Sequence, residues 1–102
     1  MNHLNSVLIE GFLTTDPKTT VDGQVFLHLK SWRFWKDEDL EYHKTESHIS
    51  VQVLEKSKRR VLDLDLEEGH HVRIVGRLEA PTGKVAILAE HVEKVRDVRQ
   101  TA

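Results

Sequence analysis

The feature that most restricts this chain is a two-residue alternation of apolar and polar side chains, repeated in five separate segments. A period of two sends successive side chains to opposite faces of an extended strand, so each segment is half buried and needs other strands beside it. In the first segment Val7, Ile9, Gly11 and Leu13 share one parity, and Leu8, Glu10 and Phe12 the other. Asp16-Pro17 closes it, because proline cannot donate a ladder hydrogen bond and restricts the residue before it. Val21-Asp22-Gly23-Gln24 is a turn, after which Val25, Leu27 and Leu29 oppose Phe26, His28, Lys30, Trp32 and Phe34. The charged stretch from Lys36 to Glu41 is expected to be an exposed loop. A third strand follows, with Ile49, Val51 and Val53 inward and His48, Ser50 and Gln52 outward. The fourth sets Val72, Ile74 and Gly76, on to Leu78, against Arg73, Val75 and Arg77. Beyond the turn Ala80-Pro81-Thr82-Gly83, the fifth sets Val85, Ile87 and Ala89 against Ala86, Leu88 and Glu90 and continues through Val92.

Between the third and fourth segments the period breaks. Glu55 to Leu66 holds a Leu62/Leu66 pair at i,i+4 spacing, which predicts a short helix or helical turn that stops at Gly69. A chain of 102 residues buries about 60–65% of its unfolded surface, enough for one core and not two. Five strands with a helix between the third and fourth match an all-β, five-stranded Greek-key barrel of the OB-fold type, although other small β architectures share the period. The expected organisation is one domain over residues 1–95 and a short flexible tail over 96–102.

Composition removes several classes of function. With no cysteine there is no disulfide framework, thiolate metal site or cysteine nucleophile. The first residues lack the basic start and apolar run of a signal peptide, and no stretch approaches a membrane span, so a cytoplasmic location is expected. Seven histidines raise a metal hypothesis, but there is no HExxH, and the adjacent His70 and His71 would point to opposite faces of a strand. His43 and His48 are placed in or beside a loop without an evident carboxylate partner. Five glycines form neither GxGxxG nor a P-loop, and the carboxylates are scattered. No enzyme, cofactor or metal is expected.

The formal charge of −2 hides a mixed distribution: residues 1–51 hold 5 basic and 8 acidic groups, residues 52–102 hold 10 and 9. A nucleic-acid site must therefore be a local stripe. One presents itself in Lys30-Ser31-Trp32-Arg33-Phe34-Trp35-Lys36, where three of the chain's six aromatics fall within four positions among basic groups. Unpaired bases stack on exposed rings while cations follow the phosphates. The competing reading is that these rings close a barrel end or fill a subunit contact. Arg73, Arg77 and Lys84 would extend a cationic track or serve as solvated charge. The run Lys56, Lys58, Arg59 and Arg60 is offset by acidic neighbours and is expected to be a solvated helix end.

Several stretches resemble bacterial single-stranded-DNA-binding proteins: Asn5 to Pro17, with its apolar strand, glycine and Asp-Pro; Thr45-Glu46-Ser47-His48; Glu68-Gly69 through Leu78; and Ala89 to Glu93. The resemblance covers residues 5–95. It implies an OB-fold, sequence-tolerant binding of single-stranded DNA in replication, repair or recombination, and a homotetramer or homodimer. By position Trp35 matches the family's base-stacking aromatic and His48 a histidine near a subunit contact; Val7 and Ile9 are assigned to the same contact. Ser47 and Val53 replace usual stacking aromatics, Pro81-Thr82-Gly83 shortens a hairpin loop, and Trp32 and Phe34 are extra rings that would compensate. The family's acidic recruiting tip has no counterpart in Arg99-Gln100-Thr101-Ala102, so replication or repair partners would have no tail to dock on. Three alternatives follow: a primosomal-replication-protein-like dimer, a truncated or phage-type binder, and an OB-fold protein-interaction module. RNA stands beside DNA as a ligand.

Overall fold

The structure is a computed structural model and describes residues 2–96; most of the expected tail lies outside the described residues. Six strands form one sheet: β1 (Val7–Leu13), β2 (Lys18–Thr19), β3 (Val25–Lys36), β4 (Tyr42–Val53), β5 (His71–Glu79) and β6 (Ala86–Lys94). Their order is β1-β5-β6-β4-β3-β2, and a further β1–β3 pairing closes the sheet into a barrel. The five expected strands are present, and two-residue β2 is an addition after Pro17 that pairs with the start of β3. All pairings are antiparallel except β4–β6, where Gln52 faces Leu88 and Val53 faces Ala89. This is the expected all-β OB-fold.

The alternation sorts as the period requires. Leu13, Val25, Leu27, Leu29, Val51, Val53, Val72 and Ile74 fill the interior, each almost fully buried. Ile9 packs against this core from β1. The assignment of Val7 and Ile9 to a subunit contact meets this parity: Ile9 packs inward, and the aliphatic side chain that β1 exposes is Leu8, at 71%.

Closure depends on backbones approaching closely. β1 pairs with β5 along Val7–Phe12 and with β3 at Phe12 and Leu13, so its end lies between two strands. A Cβ at Gly11 would stand 2.3 Å from the carbonyl oxygen of Lys30, and one at Gly76 would stand 2.1 Å from that of Leu88. Neither site admits a side chain without moving backbone.

The fifth strand departs from strict alternation. Val75 faces His91 and Gly76 faces Ala89, so Glu90 is an extra residue in β6. Such a bulge reverses the parity on its far side. Hence Leu88, Ala89 and Val92 are buried, while Val85 is exposed and precedes the strand. The Glu90 carbonyl at the bulge meets the segment that follows β4. The buried Ser57 hydroxyl donates to it at 2.6 Å, and Leu54 N–H donates to Ala89 O at 3.0 Å.

Ser57 ends a 3-10 turn over Glu55–Ser57 that runs into α1 (Lys58–Leu62). The helix is shorter than expected, and only one residue of the expected pair is buried. Val61 and Leu66 enter the core, and Leu62 is exposed. Asp65 has a left-handed φ of 50°, so the chain leaves the 3.6-residue period before Leu66 and the i,i+4 pair never lines up. Behind it, Asp16 Oδ1 accepts the Glu68 N–H at 2.7 Å and Leu13 O accepts the Gly69 N–H at 2.8 Å, tying this segment to the end of β1.

Two substitutions test these constraints by urea unfolding. Gly11→Ala is expected to destabilise by about 1–3 kcal/mol through backbone displacement. Ser57→Ala is expected to cost about 1–3 kcal/mol by removing the part-buried hydrogen bond to the Glu90 carbonyl.

Candidate nucleic-acid interface

The β3–β4 hairpin outgrows the barrel. Both strands are 12 residues long and pair along their whole length, from Val25–Val53 to Lys36–Tyr42. β1 meets β3 only at Leu29 and Lys30, and β6 meets β4 only at Gln52 and Val53. Residues 31–48 therefore form a two-stranded arm. The charged loop expected from Lys36 to Glu41 is real but shorter, and β4 begins at Tyr42. The early half of β4 has no apolar alternation because it has no core to face; its partners lie across the hairpin. His43 and His48 are thus strand residues, and both have carboxylate partners. His43 Nε2 lies 2.6 Å from Asp37 Oδ2, and His48 Nε2 lies 3.0 Å from Glu46 Oε2.

Strand parity gives the arm two unlike faces. Ser31, Arg33 and Trp35 continue the inward parity of Leu27 and Leu29 past the barrel rim. There Trp35 stacks on His43, its partner across the hairpin, with centroids 4.6 Å apart, and its Nε1 donates to Thr45 Oγ1 at 3.0 Å. The Trp35 side of the arm borders an open groove of 530 Å³ lined by Arg33, Trp35, Lys36, Thr45 and Ser47. Asp37 holds the hairpin tip. Its Oδ1 accepts the N–H groups of Asp39 and Glu41 at 2.9 and 3.0 Å, and the His43 contact, helped by these bonds, holds its carboxyl below the ordinary range. Asp37, Glu41 and His43 bring ligand-type atoms within 4.8 Å of one another. Asp37 is already committed to the turn and to orienting the imidazole beneath Trp35.

Lys30, Trp32, Phe34 and Lys36 occupy the other face, which is continuous with the barrel's outer wall. Trp32 Nε1 donates to Glu46 Oε1 at 2.5 Å, while the ammonium groups of Lys44 and Lys30 lie 4.6 and 5.2 Å from its ring centroid. Its ring also meets Phe12 at 5.5 Å, and Phe12 stacks on His71 at 4.7 Å, so the aromatic surface continues onto β1 and β5. Phe34 stands open at 71% exposure, and Lys36 lies 4.8 Å over Tyr42. A lysine over an exposed ring contributes about 0.5–1 kcal/mol. A stacked base contributes roughly 1–3 kcal/mol, so a base outcompetes the ammonium for the ring.

The nine residues expected to meet nucleic acid do not form one patch. Arg33 and Trp35 share one face; Lys30, Trp32 and Phe34 share the other; Lys36, near the tip, borders the Trp35 groove while reaching over Tyr42. Arg73, on β5, pairs with Glu10 and Glu93, both at 3.1 Å, and Arg77 pairs with Glu79 at 3.0 Å and Glu90 at 3.6 Å. Their charge is locally neutralised. Lys84 is exposed just after the β5–β6 turn and is not a residue of the arm's strands. Sequence reasoning missed Lys44, Phe12 and His71. Lys44 was hidden because its strand lacks the alternation signal, and the other two because only barrel closure brings β1 and β5 beside Trp32. His48 lies on the outer face opposite Lys30.

The hydrogen bond from Trp32 and the contact with His48 lower the Glu46 carboxyl below its ordinary 4.5. Its ionised form is favoured in the folded chain, so the stabilisation is present above that value and lost as pH falls through the lowered one. In Trp35→Phe, the part of any change in Trp32 emission that comes from Glu46 is expected to lie below pH 4.5. Glu46→Gln keeps an acceptor oxygen and is expected to remove the transition.

No family model matches the chain, and no curated protein sequence matches it. Solved structures do. A deletion mutant of the single-stranded DNA binding protein from Thermus aquaticus superposes with a TM-score of 0.74 at 26% identity, covering 93% of this chain and 52% of that one. The Plasmodium falciparum SSB, solved in complex with single-stranded DNA, has a TM-score of 0.74 at 17% identity, covering 94% and 98%. The small single-stranded DNA-binding protein from Streptomyces coelicolor gives 0.63 at 17%, covering 98% and 97%. The chain spans about half the length of the Thermus protein. No helix among the described residues is long and apolar enough to cross a membrane. The resemblance carried by the strand and turn motifs is matched in three dimensions: the chain has the all-β OB-fold of the single-stranded DNA-binding proteins.

Proposed function

We propose that this protein binds single-stranded DNA without strong sequence preference, by stacking bases on aromatic side chains of the β3–β4 arm and pairing phosphates with its cations. The observation that carries this reading is Trp35: 41% exposed, backed by His43, fixed by Thr45, and bordering an open groove with Arg33 and Lys36. A pre-positioned indole offers a flat face to any base, which is how such proteins tolerate sequence. Similarity at 26% identity to a single-stranded DNA binding protein supports the same reading. The role is binding rather than catalysis, and it fits replication, repair or recombination in the cytoplasm, where single strands arise.

The protein acts as a homo-oligomer in this proposal, a dimer or tetramer. Leu8 on β1 and Val75 on β5 face each other across the ladder and leave an exposed apolar pair on the outer wall, suited to a contact between copies. Of the expected contact residues, His48 is exposed, whereas Val7 and Ile9 would act through the strand rather than by presenting their side chains.

Titration with oligo-dT is expected to quench tryptophan emission. Trp35→Ala is expected to weaken binding by roughly 1–3 kcal/mol, about 5- to 150-fold in Kd, while the urea midpoint stays near wild type. Few cations stand beside the arm's rings, so log K against log salt is expected to have a shallow slope of roughly −1.5 to −2. Arg73→Ala and Arg77→Ala are expected to change Kd less than about twofold, because both guanidinium groups are already paired. Absence of quenching and of any mobility shift at low salt would overturn the binding reading.

A further inference from the structure

Resting on that reading, we infer that the arm carries two separate single-strand stations, one on each face, rather than one continuous path. The first is the Trp35 groove. The second is the outer face, where Trp32 and Phe34 lie between Lys30 and Lys44.

Parity sets this arrangement. Trp32 and Trp35 are three positions apart on one strand, so their rings leave opposite sides of the sheet. Each indole is anchored by its own N–H to β4, Trp32 to Glu46 and Trp35 to Thr45, so neither can swing across to join the other. An extended strand lying on one face cannot reach the second ring without turning round an arm edge or its tip.

The outer face has the parts of a station in its own right. Phe34 supplies an open ring, and Trp32 a second one at 39% exposure. Beside Trp32 a groove of 360 Å³ runs onto the barrel wall between Phe12, Lys30 and Gly69. Lys30 and Lys44 place positive charge where phosphates joining bases on these rings would run. Glu46, held by the Trp32 indole through one oxygen and by His48 through the other, offsets part of this charge and leaves two cations to one carboxylate. Rings between cations, with the carboxylate turned to its own partners, fit a short run of nucleotides.

The chain has two tryptophans, so each station can have its own reporter. Trp32→Phe leaves only Trp35, and Trp35→Phe leaves only Trp32. With oligo-dT of about 8 nucleotides, both variants are expected to be quenched, and calorimetry of the wild type to saturate at two oligonucleotides per chain. Phe34→Ala is expected to weaken quenching of the Trp32 reporter roughly tenfold and to leave the Trp35 reporter unchanged. Circular dichroism melting checks that each variant folds. If Trp32 stays unquenched at concentrations that saturate Trp35, or if saturation comes at one oligonucleotide per chain, the second station is wrong and the Trp35 site stands. If neither reporter responds, single-strand binding itself falls.

Discussion

The fold depends on how closely the backbone of β1 approaches that of β3. A barrel of this size closes only if one strand pairs on both sides, and β1 does so by passing from β5 to β3 at its end. The absence of a side chain at Gly11 allows the Lys30 carbonyl to sit where a Cβ would be. Once that contact is made, the inward parity of β3 is set by Leu29 and Ile49. Every residue further along the two strands inherits its face from this register. A shift of one residue would put Trp32 on the face that holds Trp35 and expose the core leucines. The site is thus specified by the core, although it shares no atom with it.

The arm extends that register beyond the region where hydrophobic burial can enforce it. What replaces burial is a set of polar and aromatic cross-strand pairs. Trp32 with Glu46 and Trp35 with His43 are directly opposed partners, and Ser31 at the base donates to the Glu10 carbonyl at 2.7 Å. Such pairs contribute only about 0.2–1 kcal/mol each. Rings that hold the arm together therefore also serve as its ligand surface, and the two roles meet in the same side chains.

Much of this was legible in the residues. Alternation located all five main strands, and the parity of Val25, Leu27 and Leu29 put Phe26, His28, Lys30, Trp32 and Phe34 on the opposite face. The turns at Val21–Gln24 and Ala80–Gly83 were marked by their own chemistry. Three things were not legible. Tyr42 to His48 carries no alternating pattern, so its strand character comes only from pairing with β3. The bulge at Glu90 has no composition signal, since any residue can be the extra one. Its partner Ser57 lies 33 positions earlier in sequence. The neighbours of Trp32 on β1 and β5 follow from closure, which periodicity within one segment does not encode. The resemblance pointed to Trp35, while the alternation pointed to Trp32 and Phe34. They were different faces of one hairpin.

The arm has a further property that follows from its isolation. Beyond the barrel each of its strands has a neighbour on one side only, leaving two open edges of unpaired amide and carbonyl groups. Open edges invite strand addition by any extended peptide, including another copy of the same arm. Arg33, Lys36 and Lys44 are spaced along these edges, so an approaching arm would have to bring like charges against one another. The side chains that give the surface its attraction for a polyanion thus also protect the protein from its own aggregation.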